Sequence, residues 1–564
     1  MIRLSRRVLT CVAGLAILLG SPVLVSPTTA AVKAPSPDPL ATTLDALLAK
    51  LYPADAPGAA IIAVRDGRTV LRKAYGMADL ELGVPLQPDM VFRIGSMTKQ
   101  FTAVAILMLA EEGKLAVSDP ITKFLPEYPT GGKTISVEHL LTHTSGIKSY
   151  TDMPDFLANL RKDYTIKELI DHFKDQPLEF EPGAQYKYDN SGYFLLGAII
   201  EKASGMAYEA FLKQRIFDVV GMPQTSLDST SRVIPRRARG YAKTGETWTN
   251  ADWMSMTQPY AAGAIVSTVD DLAKWDAALY TGKLLRPETL EKAVTPHRLK
   301  DGKPVEYGYG WQPGEWEGFS VVQHGGGING FVSMGVRVPE RKVYVAVLSN
   351  RTAEPFPFPV AQRLASHLLG KPWEPERVAV PEATLRAYAG VYRADEKTAW
   401  TVTVEGGRVY ILPSGGRKTE LVPMSESEFF YEASLDRLRF ERDAEGAVQA
   451  LVRQGFGGEP KRAARTTEAA KERKEVALSP EQLERCVGRY ELAPGFVLEI
   501  TREGDRLHSQ ATGQPKVEIF AESETEFFLK VVDAQLSFSL EAAGQAKGLV
   551  LHQGGRDIAA KRLE

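Results

Sequence analysis

At 564 residues the chain is longer than one hydrophobic core supports, and its length suggests roughly three to four domains. Its 44% hydrophobic and 24% charged content is that of an ordinary globular protein, which excludes a disordered or fibrous chain. With 68 Lys and Arg against 70 Asp and Glu the formal net charge is −2, and no basic run is long enough to track a phosphate backbone, so no nucleic-acid partner is expected.

In chain order, Arg3, Arg6 and Arg7 precede an apolar stretch at 12–25, followed by Thr28-Thr29-Ala30-Ala31. This is the pattern of a secretory signal peptide over residues 1–31, cut near Ala30 or Ala31, and it predicts a periplasmic or secreted protein with no membrane span after removal. Of the two cysteines, Cys11 and Cys486, only the second would remain, so no intrachain disulfide can form and packed cores must supply stability.

A proline-containing linker at 35–39 leads to helical spacing at 42–51, where a domain begins. Apolar runs at 59–64 and 69–75 joined through Asp66-Gly67 read as a β-hairpin, because that pair tolerates positive φ. Next comes Arg93-Ile94-Gly95-Ser96-Met97-Thr98-Lys99, opening a helix that is apolar almost all round through Ala110 and stops at Gly113. If Ser96 opens that helix, the 3.6-residue period puts Ser96 and Lys99 on one face. A buried lysine whose pKa is depressed can take a serine proton, although a serine before an apolar run is ordinarily just an N-cap.

Residues 136–215 read as helices and loops, with helices at 137–142, 166–173 and 193–203, the last closed by Gly205. Tyr188-Asp189-Asn190 stands immediately before that last helix. A tyrosine can act as a base where cations favour its phenolate, and an asparagine amide can orient a lysine or a carbonyl; the bland alternative is an N-cap beside a packing tyrosine. Strands return at 331–338 and 343–348, followed by an amphipathic helix at 360–369. Strands at both ends around a helical middle suit an α+β domain whose sheet is assembled from the two ends. Ahead of the first of these strands, His324-Gly325-Gly326-Gly327 allows backbone to approach a ligand closely, with a free N–H aimed at an oxyanion and His324 as a further donor; a glycine-rich turn with a surface histidine is the alternative.

Beyond a linker at 370–375 the pattern becomes short alternating strands, and it repeats. Leu385, Gly390, Tyr392, Phe429, Phe430 and Leu451 recur as Leu483, Gly488, Tyr490, Phe527, Phe528 and Leu549, each 98 residues later (488 − 390). Two related β units are expected, at 380–460 and 478–564, each the size of a small antiparallel barrel or sandwich, with a charged connector at 459–474 between them.

Three runs in this order, Ser-x-x-Lys after two strands, Tyr-x-Asn before a helix and His-Gly-Gly at a later strand, resemble the serine β-lactamase and penicillin-binding-protein superfamily. The likeness is to the branch of class C β-lactamases, D-aminopeptidases, DD-carboxypeptidases and esterases, and covers about residues 40 to 370. Supporting stretches are Phe92 to Ser96, Leu140-Leu141-Thr142-His143-Thr144-Ser145-Gly146-Ile147, Tyr188 to Gly197 and Ala262-Gly263 to Leu272. The resemblance implies a β-lactamase/transpeptidase-like α+β domain over 38–370, an antiparallel sheet flanked by helices plus a helical subdomain, followed by two β-barrel-like domains. It implies Ser96 as acylated nucleophile, Lys99 as its proton-relay partner, Tyr188 as base and proton donor, and Asn190 as the polar contact to Lys99 and substrate. The N–H groups of Ser96 and Gly327 would form the oxyanion hole within the run His324, Gly325, Gly326 and Gly327. No cofactor or metal is implied; the substrate is a small molecule or peptide. His324 replaces the lysine with which β-lactamases help to hold a substrate carboxylate, which points from lactams toward D-amino-acid amides, peptides or esters.

Rival readings have sequence support too. His139 and His143, at i, i+4 spacing, suggest a metallohydrolase, though no His-Glu-x-x-His is present. An α/β-hydrolase lacks its Gly-x-Ser-x-Gly elbow. An idle hydrolase domain carrying β units as a binding surface has no use for Ser96, Lys99 and Tyr188 together.

Overall fold

The computed structural model describes residues 38–563 apart from 396–397, 415, 432–433, 457–459, 469–474, 494–495, 513, 515, 542–543 and 554–555. The expected signal peptide at 1–31, most of the 35–39 linker and much of the 459–474 connector lie outside the described residues. Among the described residues no helix is long and apolar enough to cross a membrane.

Helix α1 (Pro39–Leu51) starts three residues earlier than the spacing suggested, because proline is accommodated in a first helical turn. The hairpin of β1 (Ala59–Arg65) and β2 (Arg68–Tyr75) turns through Asp66 at φ +52° and Gly67 at φ +72°. The later strands β3 (Gln312–Trp316), β4 (Phe319–Ile328), β5 (Phe331–Val338) and β6 (Val343–Ser349) join them in a six-stranded sheet of order β3-β4-β5-β6-β1-β2. Every neighbour is antiparallel, and β1 lies on β6 with Ala59 opposite Ser349, so the two ends of the domain build one sheet as expected.

Period-2 alternation divides the sheet between two cores. Ala60 and Ile62 face a core shared with α2 (Thr98–Glu111), α3 (Asn190–Ser204) and α4 (Val269–Leu279). Ala59, Ile61 and Ala63 face the other, formed with α1 and α5 (Pro357–Leu368). A buried ion pair, Arg337 Nε to Asp276 Oδ1 at 2.9 Å, ties β5 to α4; burial raises the Asp276 pKa to about 6 against the pull of Arg337.

The repeat is two closed barrels of eight antiparallel strands each, running from Gly390–Arg393 to Lys461–Arg465 and from Gly488–Ala493 to Arg556–Leu563. Equivalent tyrosines lock equivalent turns: Tyr392 donates to the Tyr388 carbonyl at 2.7 Å and Tyr490 to that of Cys486 at 2.8 Å. Cys486 is a buried free thiol whose pKa burial raises to about 12, so it serves as an apolar core residue. Trp373 of the linker and Val422, Phe430, Leu435 and Phe456 of the first barrel complete the core beneath α1 and α5, which joins this barrel to the back of the sheet.

Candidate active site

Ser96 lies in a single 3-10 turn (Gly95–Met97) that feeds directly into α2, rather than on the α-helix itself. From Thr98 to Leu109 every residue of α2 is buried, as its all-round apolar sequence requires, while Ser96 stays partly exposed at the end carrying the positive pole of the helix. Gly95, at φ +51°, sets the turn; a Cβ there would stand 2.9 Å from the Gly327 nitrogen, so the nucleophile turn and the glycine strand are in direct contact.

Lys99 is fully buried, and its Nζ lies within hydrogen-bond distance of three oxygens: Ser96 Oγ at 3.1 Å, Asn190 Oδ1 at 2.9 Å and the Ala262 carbonyl at 2.8 Å. Burial lowers its pKa to about 7, with the Asp189 charge acting in the opposite sense, so a large fraction is neutral amine at neutral pH. Asn190 is held as an acceptor toward Lys99 because its amide nitrogen donates to Thr151 Oγ1 at 3.1 Å, and its backbone N–H is fixed by Ser149 Oγ at 3.1 Å.

Asp189 caps α3 by accepting from the Gly192 N–H at 2.9 Å, which starts that helix at Asn190. Burial raises its pKa to about 7. Tyr188 sits beside Lys99, whose Nζ is 4.8 Å from its ring centroid. Burial raises the Tyr188 pKa, opposed by a hydrogen bond with Ser96, so the group is a neutral phenol and not the phenolate that the sequence reading entertained.

The glycine run is not a turn. His324, Gly325, Gly326 and Gly327 lie within β4, opposite Gly335, Met334, Ser333 and Val332 of β5, and the turn comes at Asn329-Gly330. On its other side β3 reaches only as far as Gln323, leaving 324–328 an open strand edge. Gly326 is required by proximity: a Cβ would fall 1.9 Å from the Ile94 carbonyl, which Ser333 Oγ also anchors at 2.8 Å. Gly327 is exposed, and a Cβ on it would meet nothing within 4 Å.

His324 does not offer a donor to the cleft. It is buried, and because the Gly325 carbonyl only accepts, Nδ1 carries the proton across the 2.6 Å bond while Nε2 accepts from the Tyr307 hydroxyl at 2.9 Å. Burial, then the nearby Lys99 charge, lower its pKa to about 3, so it is neutral.

The His139/His143 spacing also reads differently in three dimensions. The helix ends at Leu141 and His143 takes φ +57°, so i, i+4 geometry does not apply. His139 Nδ1 belongs to a capping box, accepting from the Ser136 N–H at 3.2 Å, while His143 Nδ1 accepts from the Asp189 N–H at 3.0 Å. His143 packs on Tyr188 at 4.3 Å between ring centroids and on Tyr307 at 4.6 Å. The site thus unites Ser96, Lys99, Tyr188, Asn190 and Gly327, and adds His143, Ser149, Thr151, Ala262 and Tyr307. Of these, Ala262 stood in a stretch the sequence singled out without a role, and His143 was offered only as half of a metal-binding pair; Ser149, Thr151 and Tyr307 carried no signal.

An antiparallel sheet with a Ser-x-x-Lys turn on one face and an open glycine edge beside it defines a penicillin-binding-protein-type serine hydrolase. The chain belongs to the beta-lactamase family, whose profile matches residues 44–369; residues 472–562 match a domain of unknown function, DUF3471. It is 32% identical to penicillin-binding protein 4* of Bacillus subtilis (strain 168) over 419 residues, 70% of this chain and 92% of that protein. It is 27% identical to the D-aminopeptidase of Gluconobacter oxydans (strain 621H) over 71% of this chain and 74% of that one. Among solved structures, the octameric penicillin-binding protein homologue from Pyrococcus abyssi aligns over 76% of this chain and 99% of its own, at TM-score 0.53 and 27% identity. The D-amino acid amidase from Ochrobactrum anthropi SV3, complexed with L-phenylalanine amide, aligns over 59% and 98%, at TM-score 0.51 and 25% identity.

Proposed function

We propose that the protein is an exported serine hydrolase that forms an acyl-enzyme on Ser96 and acts on a small peptide, a D-amino-acid amide or an ester. The observation that carries this reading is the Lys99 amine, buried with a pKa near 7 and 3.1 Å from Ser96 Oγ. As Oγ attacks the substrate carbonyl carbon, neutral Lys99 takes its proton. The oxyanion so formed meets the N–H groups of Ser96 and Gly327, each such donor contributing about 3 kcal/mol to the transition state. The proton held on Lys99 then reaches the leaving nitrogen or oxygen through the Tyr188 hydroxyl, which gives one proton and receives another. Water attacks the acyl-enzyme by the reverse sequence. A neutral His324 supplies no charge for a lactam carboxylate, and the similarity to a D-aminopeptidase supports the amide reading over the lactam one.

Incubation with a fluorophosphonate, read by intact mass, tests the nucleophile: wild type gains one adduct and Ser96→Ala gains none. A well-folded wild type without an adduct favours a binding module. Nitrocefin, p-nitrophenyl acetate and D-alanine p-nitroanilide assayed side by side then separate lactam, ester and amide.

A further inference from the structure

A cavity of about 580 Å³ is walled by residues close in the chain to both the Ser96 turn and Gly327. Its wall includes Arg93, three residues before Ser96, and Asn329 and Phe331, just past Gly327, together with Arg237 and Arg239. Three residues of extended chain span at most about 11 Å, so the cavity is within reach of a short acyl chain attached at Ser96. Direct packing holds the walls together: the Arg93 guanidinium lies 5.8 Å from the Phe331 ring centroid, and a Cβ on Gly240 would stand 2.9 Å from the Gly330 Cα.

The charges in this wall are uneven. Asp228 is buried and saturated, accepting from Arg93 Nε at 2.7 Å, from Arg237 Nη1 at 2.6 Å and from the Ser229 N–H at 2.7 Å. One carboxylate therefore balances two guanidiniums, whose side chains are only 10% and 27% exposed. The other lining arginines have their own acids: Arg239 pairs with Glu81 and Asp79, and Arg232 with Glu209. Asp252, at the exposed rim, is the one carboxylate among the described lining residues. The surplus is local to the Arg93–Asp228–Arg237 cluster, since Arg239 faces two acids and Asp252 stands at the rim; a half-buried cation there, with guanidinium donors to spare, is suited to a carboxylate, since charge-assisted bonds strengthen as water is excluded. Trp253, half exposed, and Val233 add apolar surface to the lining for the chain that would carry the anion.

We propose that this cavity is the acyl-side recognition subsite of the Ser96 centre and takes a carboxylate on the acyl portion of the substrate, held by Arg93 and Arg237. The proposal rests on the Ser96 acyl-enzyme reading for its role and on the cavity alone for its ligand. Two measurements separate these. In turnover, mono-p-nitrophenyl adipate and suberate are compared with p-nitrophenyl hexanoate and octanoate. Wild type is expected to favour the acids in kcat/KM, and Arg237→Gln to reduce that preference on the order of tenfold, with Arg237→Lys between them. In binding, adipate is titrated calorimetrically into Ser96→Ala and is expected to bind at least about tenfold tighter than adipamide. Equal affinity for adipate and adipamide overturns the subsite, even where Arg237→Gln fails to fold. Tight adipate binding without turnover of any ester upholds the subsite and removes the Ser96 reading.

Discussion

Replacing Asn190 by aspartate would put a carboxylate where an amide oxygen now stands 2.9 Å from Lys99 Nζ. In wild type, with Lys99 near 7 because burial penalises its charged form, kcat/KM should fall about tenfold for each pH unit below that value. A carboxylate at such distance favours the protonated amine and raises a lysine pKa by roughly 1–3 units, each worth about 1.4 kcal/mol. The acidic limb of Asn190→Asp should therefore move to about pH 8–10, so that at pH 7, where half of the wild-type lysine is already protonated, the variant is slower by roughly 5- to 500-fold. The substitution also loses the donor to Thr151. Geometry lost in that way does not return with pH, whereas a raised pKa does, so the decisive measurement is the pH profile of D-alanine p-nitroanilide or p-nitrophenyl ester hydrolysis from pH 5 to 10. Recovery toward the wild-type plateau at high pH supports Lys99 as base. A limb that stays near 7, or a wild-type limb near the carboxylate range, refutes it.

Tyr188→Phe should slow amide hydrolysis by about 10²–10⁴ but p-nitrophenyl esters much less, because p-nitrophenolate leaves without a proton; equal losses on both substrates would remove Tyr188 from the proton path. Gly326→Ala drives a methyl group into the Ile94 carbonyl, 1.9 Å away, and must displace the Ser96 turn. A shift of about 1 Å there costs about 10²-fold in kcat/KM, with about 1–3 kcal/mol lost in urea denaturation; a variant with wild-type kinetics would mean the turn is not held by this contact. Arg337→Met strands Asp276, whose side chain is 8% exposed, and should cost about 3–5 kcal/mol by denaturant titration, most of it recovered in Arg337→Met/Asp276→Leu. A double variant as unstable as the single one would show that packing, not the stranded charge, sets the loss.

The parts of the fold that could be read from the sequence were those with local causes. Asp66-Gly67 fixes its hairpin through φ alone, the unbroken apolar run after Thr98 can only be a buried helix, and the 98-residue repeat returns as two barrels with matching tyrosine locks. Ser96, Lys99 and Asn190 were legible because each sits in a short pattern that chemistry explains. The illegible parts depended on contacts distant in sequence. Three successive glycines look like a turn unless one knows that the Ile94 carbonyl presses on Gly326 and that β5 pairs along the whole run. His324 reads as a donor until Tyr307, 17 positions earlier, is found on its Nε2. That Tyr188 lies partly buried beside Lys99 as a neutral phenol is likewise a property of the packed molecule, not of its sequence pattern.

The two cores of the sheet assign different tasks to the two barrels beyond residue 370. Trp373, Val422, Phe430, Leu435 and Phe456 lie in the core behind the sheet, away from α2 and α3, and each such buried side chain contributes about 1.5–3 kcal/mol. Truncation at Lys371 would therefore strip a wall of the hydrolase core, so its effect on substrate choice could not be separated from its effect on folding. The second barrel meets the first through a bridge of Arg417 with Val532 and backbone bonds from Lys418 to Val531 and from Asp533 to Gly416, at 3.2 and 3.1 Å. Deleting residues 475–564 should leave the thermal midpoint and the Ser96 chemistry close to those of the full chain, whereas deletion from 371 should give insoluble protein. If the shorter deletion instead changes the ratio of kcat/KM for long against short peptides while the midpoint holds, the second barrel takes part in substrate selection and not only in the stability of its neighbour.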